Sequence, residues 1–153
     1  RFLFDGLDTR MDSFLVRAVG RVRAINRHGV TKMMRNILSL QQNLKNIVAA
    51  PLGVNLEQSK RLWSLVSREP EQWFGTLRAS RPEYPFEVYL AVLQLCLGVD
   101  REAPVNTDAT EMPRVPRAGT TARTSVSRQA YDALVRELHA LVEEPEVQVA
   151  QAS

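Results

Sequence analysis

One cysteine in 153 residues, Cys96, leaves no partner for an internal disulfide, a usage that suits a reducing compartment. Histidine is nearly as scarce. His28 and His139 stand far apart with no cysteine or histidine at ligand spacing, so no zinc site is expected. Long apolar runs are missing: none approaches the roughly 18 residues needed to span a bilayer. No signal-peptide pattern shows in the first twenty residues, which hold Asp5, Asp8 and Asp12. The chain also lacks a nucleophile elbow, a phosphate loop and a dinucleotide fingerprint. The acidic residues around Glu143 read as a charged helix end rather than an acid–base pair. These absences predict no catalytic residue, no cofactor, no metal and no small-molecule substrate.

What is present points to one modest core. Hydrophobic residues make up 44% of the chain, enough for a single domain of this length. The chain begins at Arg1, which we read as a piece trimmed or excised from something longer. Charge is unevenly spread. Residues 1–45 hold nine Lys/Arg against three Asp, whereas residues 129–153 hold one Arg against five Asp/Glu. A basic half and an acidic end can attract each other or two separate partners.

Apolar spacing predicts helices throughout. Over residues 7–27, Leu7, Met11, Phe14, Leu15, Ala18, Val22 and Ile25 recur at steps of three and four. Arg10, Arg17 and Arg21 line one flank of that stripe. Gly29 reads as a stop or sharp bend. A second helix is expected at 30–49, with Val30, Met33, Met34, Ile37, Leu40, Leu44, Ile47 and Val48 inward and Lys32, Arg35, Ser39, Asn43, Lys45 and Asn46 outward. Gln42 and Asn43 face away from its stripe, but Gln41 falls in the middle of it. A buried amide without a partner costs about 1–3 kcal/mol. Gln41 therefore either bonds to a neighbouring helix backbone or fixes the register of a docking helix.

Pro51 and Gly53 mark a turn, and Asn55 with Gln58 outlines a capping box for a helix at 56–67. Pro70 opens a short helix at 70–79 carrying Trp73, Phe74 and Leu77. Residues 86–97 are apolar almost all round and poor in β-branched side chains, which predicts a buried helix. Cys96 within it reads as a small core residue. Residues 99–125 hold three prolines and five threonines and no aromatic residue, so a disordered linker is expected there. An amphipathic helix follows at 127–144, with Tyr131, Leu134, Val135, Leu138, Leu141 and Val142 on one face. The expected organisation is a helical bundle at 1–98, the linker at 99–125, a terminal helix at 126–145 and a frayed tail at 146–153. The fold class is all-α, a bundle of about five to six helices.

Two binding readings compete on the basic segment RAVGRVRAINRHGVTKMMRN. Its outline loosely matches a helix-turn-helix, whose Arg and Lys side chains would meet phosphates, so a basic nucleic-acid-binding module is the alternative function. The second helix offers few base-reading side chains clear of its stripe. A basic amphipathic helix can also lie on a membrane, which would require the Leu7–Ile25 face to be free.

The run KMMRNILSLQQNLKNI at 32–47, with RFLFDGL at 1–7 and Gly29-Val30, resembles the C-terminal region of the exocyst component 4 subunits, the eighth of the yeast secretion series, in a fungal type. A weaker likeness continues through Tyr84, Tyr89, Leu93 and Leu95. The resemblance implies an all-helical, rod-like subunit of a tethering complex that holds secretory vesicles at the plasma membrane before fusion. It implies a non-enzymatic scaffold whose partners are other exocyst subunits. It also implies a cytoplasmic, peripheral location at sites of secretion, with membrane association only through the complex and no nucleic acid. Residues 99–125 read as an insertion, and the tail VQVAQAS lacks the hydrophobic end that animal members present to PDZ domains. The expected partner-contact residues are Arg17, Arg21, Asn36, Gln41, Gln42 and Asn43.

Overall fold

Proline and glycine punctuation sets the cleanest helix boundaries in the computed structural model, which describes residues 6–48, 54–100, 110–113 and 126–143. Six α-helices follow in order: α1 (Leu7–Ala18), α2 (Arg27–Val48), α3 (Glu57–Leu65), α4 (Pro70–Ala79), α5 (Phe86–Leu97) and α6 (Arg128–Glu143). The described residues form an all-α bundle, with one isolated bridge between Glu111 and Ser127. Pro70 occupies the first turn of α4, where its missing N–H costs nothing. Pro85 caps the start of α5. Gly98 ends α5 in the left-handed conformation, φ 69°, which a side chain would resist.

α1 is shorter than its apolar spacing predicts. It gives way to a single 3₁₀ turn, Val19–Arg21, and Val22 is extended. The pattern through Val22 and Ile25 continues in register, but the chain leaves the helix. The restart signal is Asn26, whose side-chain oxygen accepts the Gly29 N–H at 2.7 Å. Gly29 is therefore not a stop. It lies in the first turn of α2, which begins at Arg27 rather than at residue 30.

Leu7, Met11, Leu15, Val22 and Ile25 pack against the core as expected, but one expected residue leaves it and others join. Phe14, predicted inward, is 58% exposed, while Asp12, Val16 and Val19 are buried. The cause is Asp12. Its carboxylate accepts the backbone N–H groups of Gln58 (3.2 Å) and Ser59 (2.8 Å) in the first turn of α3. Those donors have no partner inside α3, so an inward acid satisfies them. The Asn55 oxygen accepts the Glu57 N–H at 2.9 Å. The expected capping box is not formed: the Gln58 N–H that the Asn55 side chain would accept goes to Asp12 instead.

α2 buries Val30, Ile37 and Leu44 along its length, with Met33, Met34 and Leu40 half-buried against the core. Ile47, predicted inward, is 60% exposed. α1 and α2 both pack on α3, while α6 packs on α5 and α4. The two groups meet through the 3₁₀ turn, which lies against α5. Polar ties cross these seams. The Trp63 indole donates to the Leu15 carbonyl at 3.1 Å, and the Cys96 thiol faces the Leu65 and Val66 carbonyls at 3.6 Å.

Trp63, Trp73, Phe74, Leu62, Leu93, Leu95 and Leu138 are all essentially inaccessible to solvent. Each such side chain contributes roughly 1.5–3 kcal/mol of burial. Trp73 meets Phe74 edge-on at 4.6 Å and stacks with Tyr89 at 6.0 Å. The expected linker at 99–125 lies mostly outside the described residues. Within them, Asp100 donates its N–H to Pro113, Met112 donates to Val126 and Arg128 donates to Thr110. The expected frayed tail lies outside them as well.

Candidate partner-contact surface

The residues expected to meet partners fall on two helices. Arg17 and Arg21 project from the outer side of α1 and the 3₁₀ turn, both exposed. With Arg10 and Phe14 they line a shallow groove that no α2 residue enters. Among the described residues none of Arg10, Arg17 and Arg21 has an ion-pair partner, so their charge faces solvent. Arg23, two residues on, is different: it forms a two-pronged bond to the Asp100 carboxylate at 2.8 and 3.2 Å.

On α2, Asn36, Gln42 and Asn43 are exposed. Gln42 donates to the Asn46 side-chain oxygen at 3.2 Å, one turn along. Gln41 behaves differently from its neighbours. It is half-buried, and its amide donates to the Val54 carbonyl at 2.9 Å, just ahead of α3. Gln41 is thus paired within the chain, to the loop backbone ahead of α3 rather than to a neighbouring helix. Leu38, 52% exposed, and Ile47 add two apolar side chains to the open sides of the helix.

A second groove runs along the other border of α1. Asp8, Glu57 and Glu83 line it together with Arg61, and it shares Thr9 and Ser13 with the basic one. Arg61 pairs with Glu83 at 2.6 Å, and Lys60 pairs with Glu57. The Lys60 hydrogen bond holds the Glu57 carboxyl below the usual carboxylate range. Deeper in, burial pushes the Tyr84 phenol well above its ordinary value, and Tyr89 moves the same way for the same reason. Both hydroxyls serve structure: Tyr84 donates to the Gln58 carbonyl at 2.6 Å, and Tyr89 accepts the Glu83 N–H at 3.1 Å.

No cluster of three potential metal ligands occurs among the described residues, and no described helix is long and apolar enough to cross a membrane. His139 is exposed and meets only the edge of Phe86, at 5.2 Å. Phe14 is the residue that sequence reasoning missed. Its spacing matched the core, and only the inward turn of Asp12 reveals that it faces out.

An all-α bundle with charged tracks on its outer helices is the class these features define. The particular likeness comes from comparison with known proteins. The chain is 30% identical over 95 residues to exocyst complex component 4 of Drosophila melanogaster, covering 62% of this chain and 10% of that protein. It is 31% identical over 104 residues to exocyst complex component 4 of Dictyostelium discoideum, covering 67% of this chain and 9% of that protein. The chain therefore contains an exocyst component 4-like region, and it spans about a tenth of the length of these curated relatives. No family model matches the chain, and no solved structure does. The nucleic-acid alternative finds no support in these relatives.

Proposed function

We propose that this chain is a scaffolding segment of an exocyst-type tethering complex, without catalytic activity of its own. The observation that carries the reading is the likeness to exocyst complex component 4 in two distant organisms, over about two thirds of the chain. An all-α bundle suits that role, because helix faces left open by one chain can be covered by another. In this reading the partners are other exocyst subunits. The complex holds secretory vesicles at the plasma membrane before fusion, and the chain is cytoplasmic and peripheral at those sites.

Arg17 and Arg21 on one helix, and Asn36, Gln42 and Asn43 on the other, are the contact residues in this proposal. Gln41 serves mainly inside the chain, holding α2 to the backbone ahead of α3. The test is affinity purification of the tagged full-length protein from its source, followed by mass spectrometry. Exocyst subunits should co-purify in near-stoichiometric amounts. Their absence from a clean, folded preparation would overturn the assignment.

A further inference from the structure

Given that α1 contacts a partner chain, as proposed above, we infer that its outer side is a docking track for an acidic amphipathic helix of that partner. Arg10, Phe14, Arg17 and Arg21 follow one another at intervals of four, three and four. That is the spacing of a helical seam, where side chains of one helix meet those of another. All four line the same groove; Arg10, Phe14 and Arg17 lie on α1 and rise about 10 Å at 1.5 Å per residue, and Arg21 ends the 3₁₀ turn that follows. The centre is apolar: Phe14, 58% exposed, sits between Arg10 and Arg17. An exposed aromatic ring within a basic stripe provides an anchor, and the guanidinium groups provide orientation.

Charge selects the occupant. Arg10, Arg17 and Arg21 lack carboxylate partners among the described residues, so an incoming helix with Glu or Asp at seam spacing would supply them. The track is one helix wide. Across Thr9 and Ser13 lie the carboxylates of Asp8, Glu57 and Glu83. A broad anionic surface such as a lipid bilayer would meet those acids together with the arginines. A partner helix avoids them, or matches them with a Lys or Arg on that flank. The chemistry that fits is thus a helix with acidic residues along the seam, an aliphatic side chain over Phe14 and a basic residue on one edge.

The experiment uses the 153-residue chain and a labelled three-heptad synthetic helix with Glu at the seam positions and Leu at the one facing Phe14. Controls are the same peptide with Glu replaced by Lys, and vesicles containing phosphatidylserine. Binding is read by fluorescence anisotropy, with circular dichroism confirming that every variant is folded. The acidic peptide should bind at least tenfold more weakly to Arg17→Glu/Arg21→Glu and at least threefold more weakly to Phe14→Ala. Arg35→Glu on α2 should bind as the parent chain does. Equal binding to all variants, equal binding of the Lys peptide, no peptide binding at all, or vesicle binding in its place would each overturn the docking track. Failure here and failure of the tethering reading separate cleanly. If exocyst subunits co-purify with the parent protein but the acidic peptide binds parent and variants alike, the track is wrong and the tethering role stands. If the peptide binds as expected but no exocyst subunit co-purifies, the track stands and the tethering role is wrong.

Discussion

The carboxylate of Asp12 accepts the backbone N–H of Ser59 at 2.8 Å, joining α1 to the first turn of α3 across 47 positions of sequence. A second N–H, from Gln58, reaches the same side chain. Replacing Asp12 by Ala leaves two N–H groups without their acceptor in a buried place. The cost should be about 1–3 kcal/mol, the range for a lost cap and an unsatisfied donor. Asp12→Asn keeps one acceptor oxygen and should cost less. Urea unfolding followed by circular dichroism would rank the two, and an Asp12→Ala variant as stable as the parent would refute the capping role.

Gln41 gives a milder prediction. Its bond to the Val54 carbonyl is half-buried, so Gln41→Met should destabilise by about 0.5–1.5 kcal/mol. Because the amide is already engaged within the chain, partner capture should change little once the variant is folded. Parallel measurement of unfolding midpoint and subunit capture would expose a direct contact role, which would lower capture without lowering stability.

α6 is held to the bundle by Leu138, which is fully inaccessible, and by Leu141 and Tyr131. The Tyr131 hydroxyl accepts the Gln94 amide at 2.9 Å, and Arg78 pairs with Glu137. Leu138→Ala should cost about 2–5 kcal/mol, the range for a buried leucine. Arg78→Ala, which removes an exposed pair, should cost under about 1 kcal/mol. Hydrogen exchange should show the leucine variant losing protection in both α5 and α6.

Alkaline pH should weaken the fold through the tyrosines. Burial raises the folded-state pKa of Tyr84 and Tyr89 above the ordinary 10.0. A phenol kept neutral by the fold binds its proton more tightly there than in the unfolded chain. Its contribution is therefore complete below about pH 10 and is lost as pH rises beyond it. Unfolding midpoints should fall above about pH 10, and Tyr84→Phe should flatten the fall. A parent chain with a level profile across that window would contradict the burial of both rings.

Much of this fold was legible in the sequence where covalent constraint or continuous apolarity decides the structure. α4 and α5 match their expected spans because Pro70, Pro85 and Gly98 limit the backbone locally. α5 needed no choice of face, since Tyr89, Val92, Leu93, Leu95 and Cys96 are buried around most of its circumference. The errors lie where a distant partner overrules a periodic pattern. Nothing local marks Asp12 as buried; the start of α3 requires an acceptor, and the same turn of the helix leaves Phe14 in solvent. The stop after α1 was missed for a related reason. Val22 and Ile25 keep helical spacing, and the Asn26 cap that restarts the helix gives only a one-residue signal. Of the residues expected to meet partners, Arg17, Arg21, Asn36, Gln42 and Asn43 are exposed, while the Gln41 amide bonds to the Val54 carbonyl within the chain.

The 3₁₀ turn against α5, and the Arg23–Asp100 clasp beside it, have a mechanical consequence. They join the chain near residue 20 to the chain near residue 100, enclosing α2 through α5 between them. Tension entering through α1 and leaving beyond Asp100 would be shared by that junction and by the α1–α3 seam held at Asp12. Release of the two together would free the enclosed helices, and single-molecule pulling should then record one abrupt lengthening rather than a staircase.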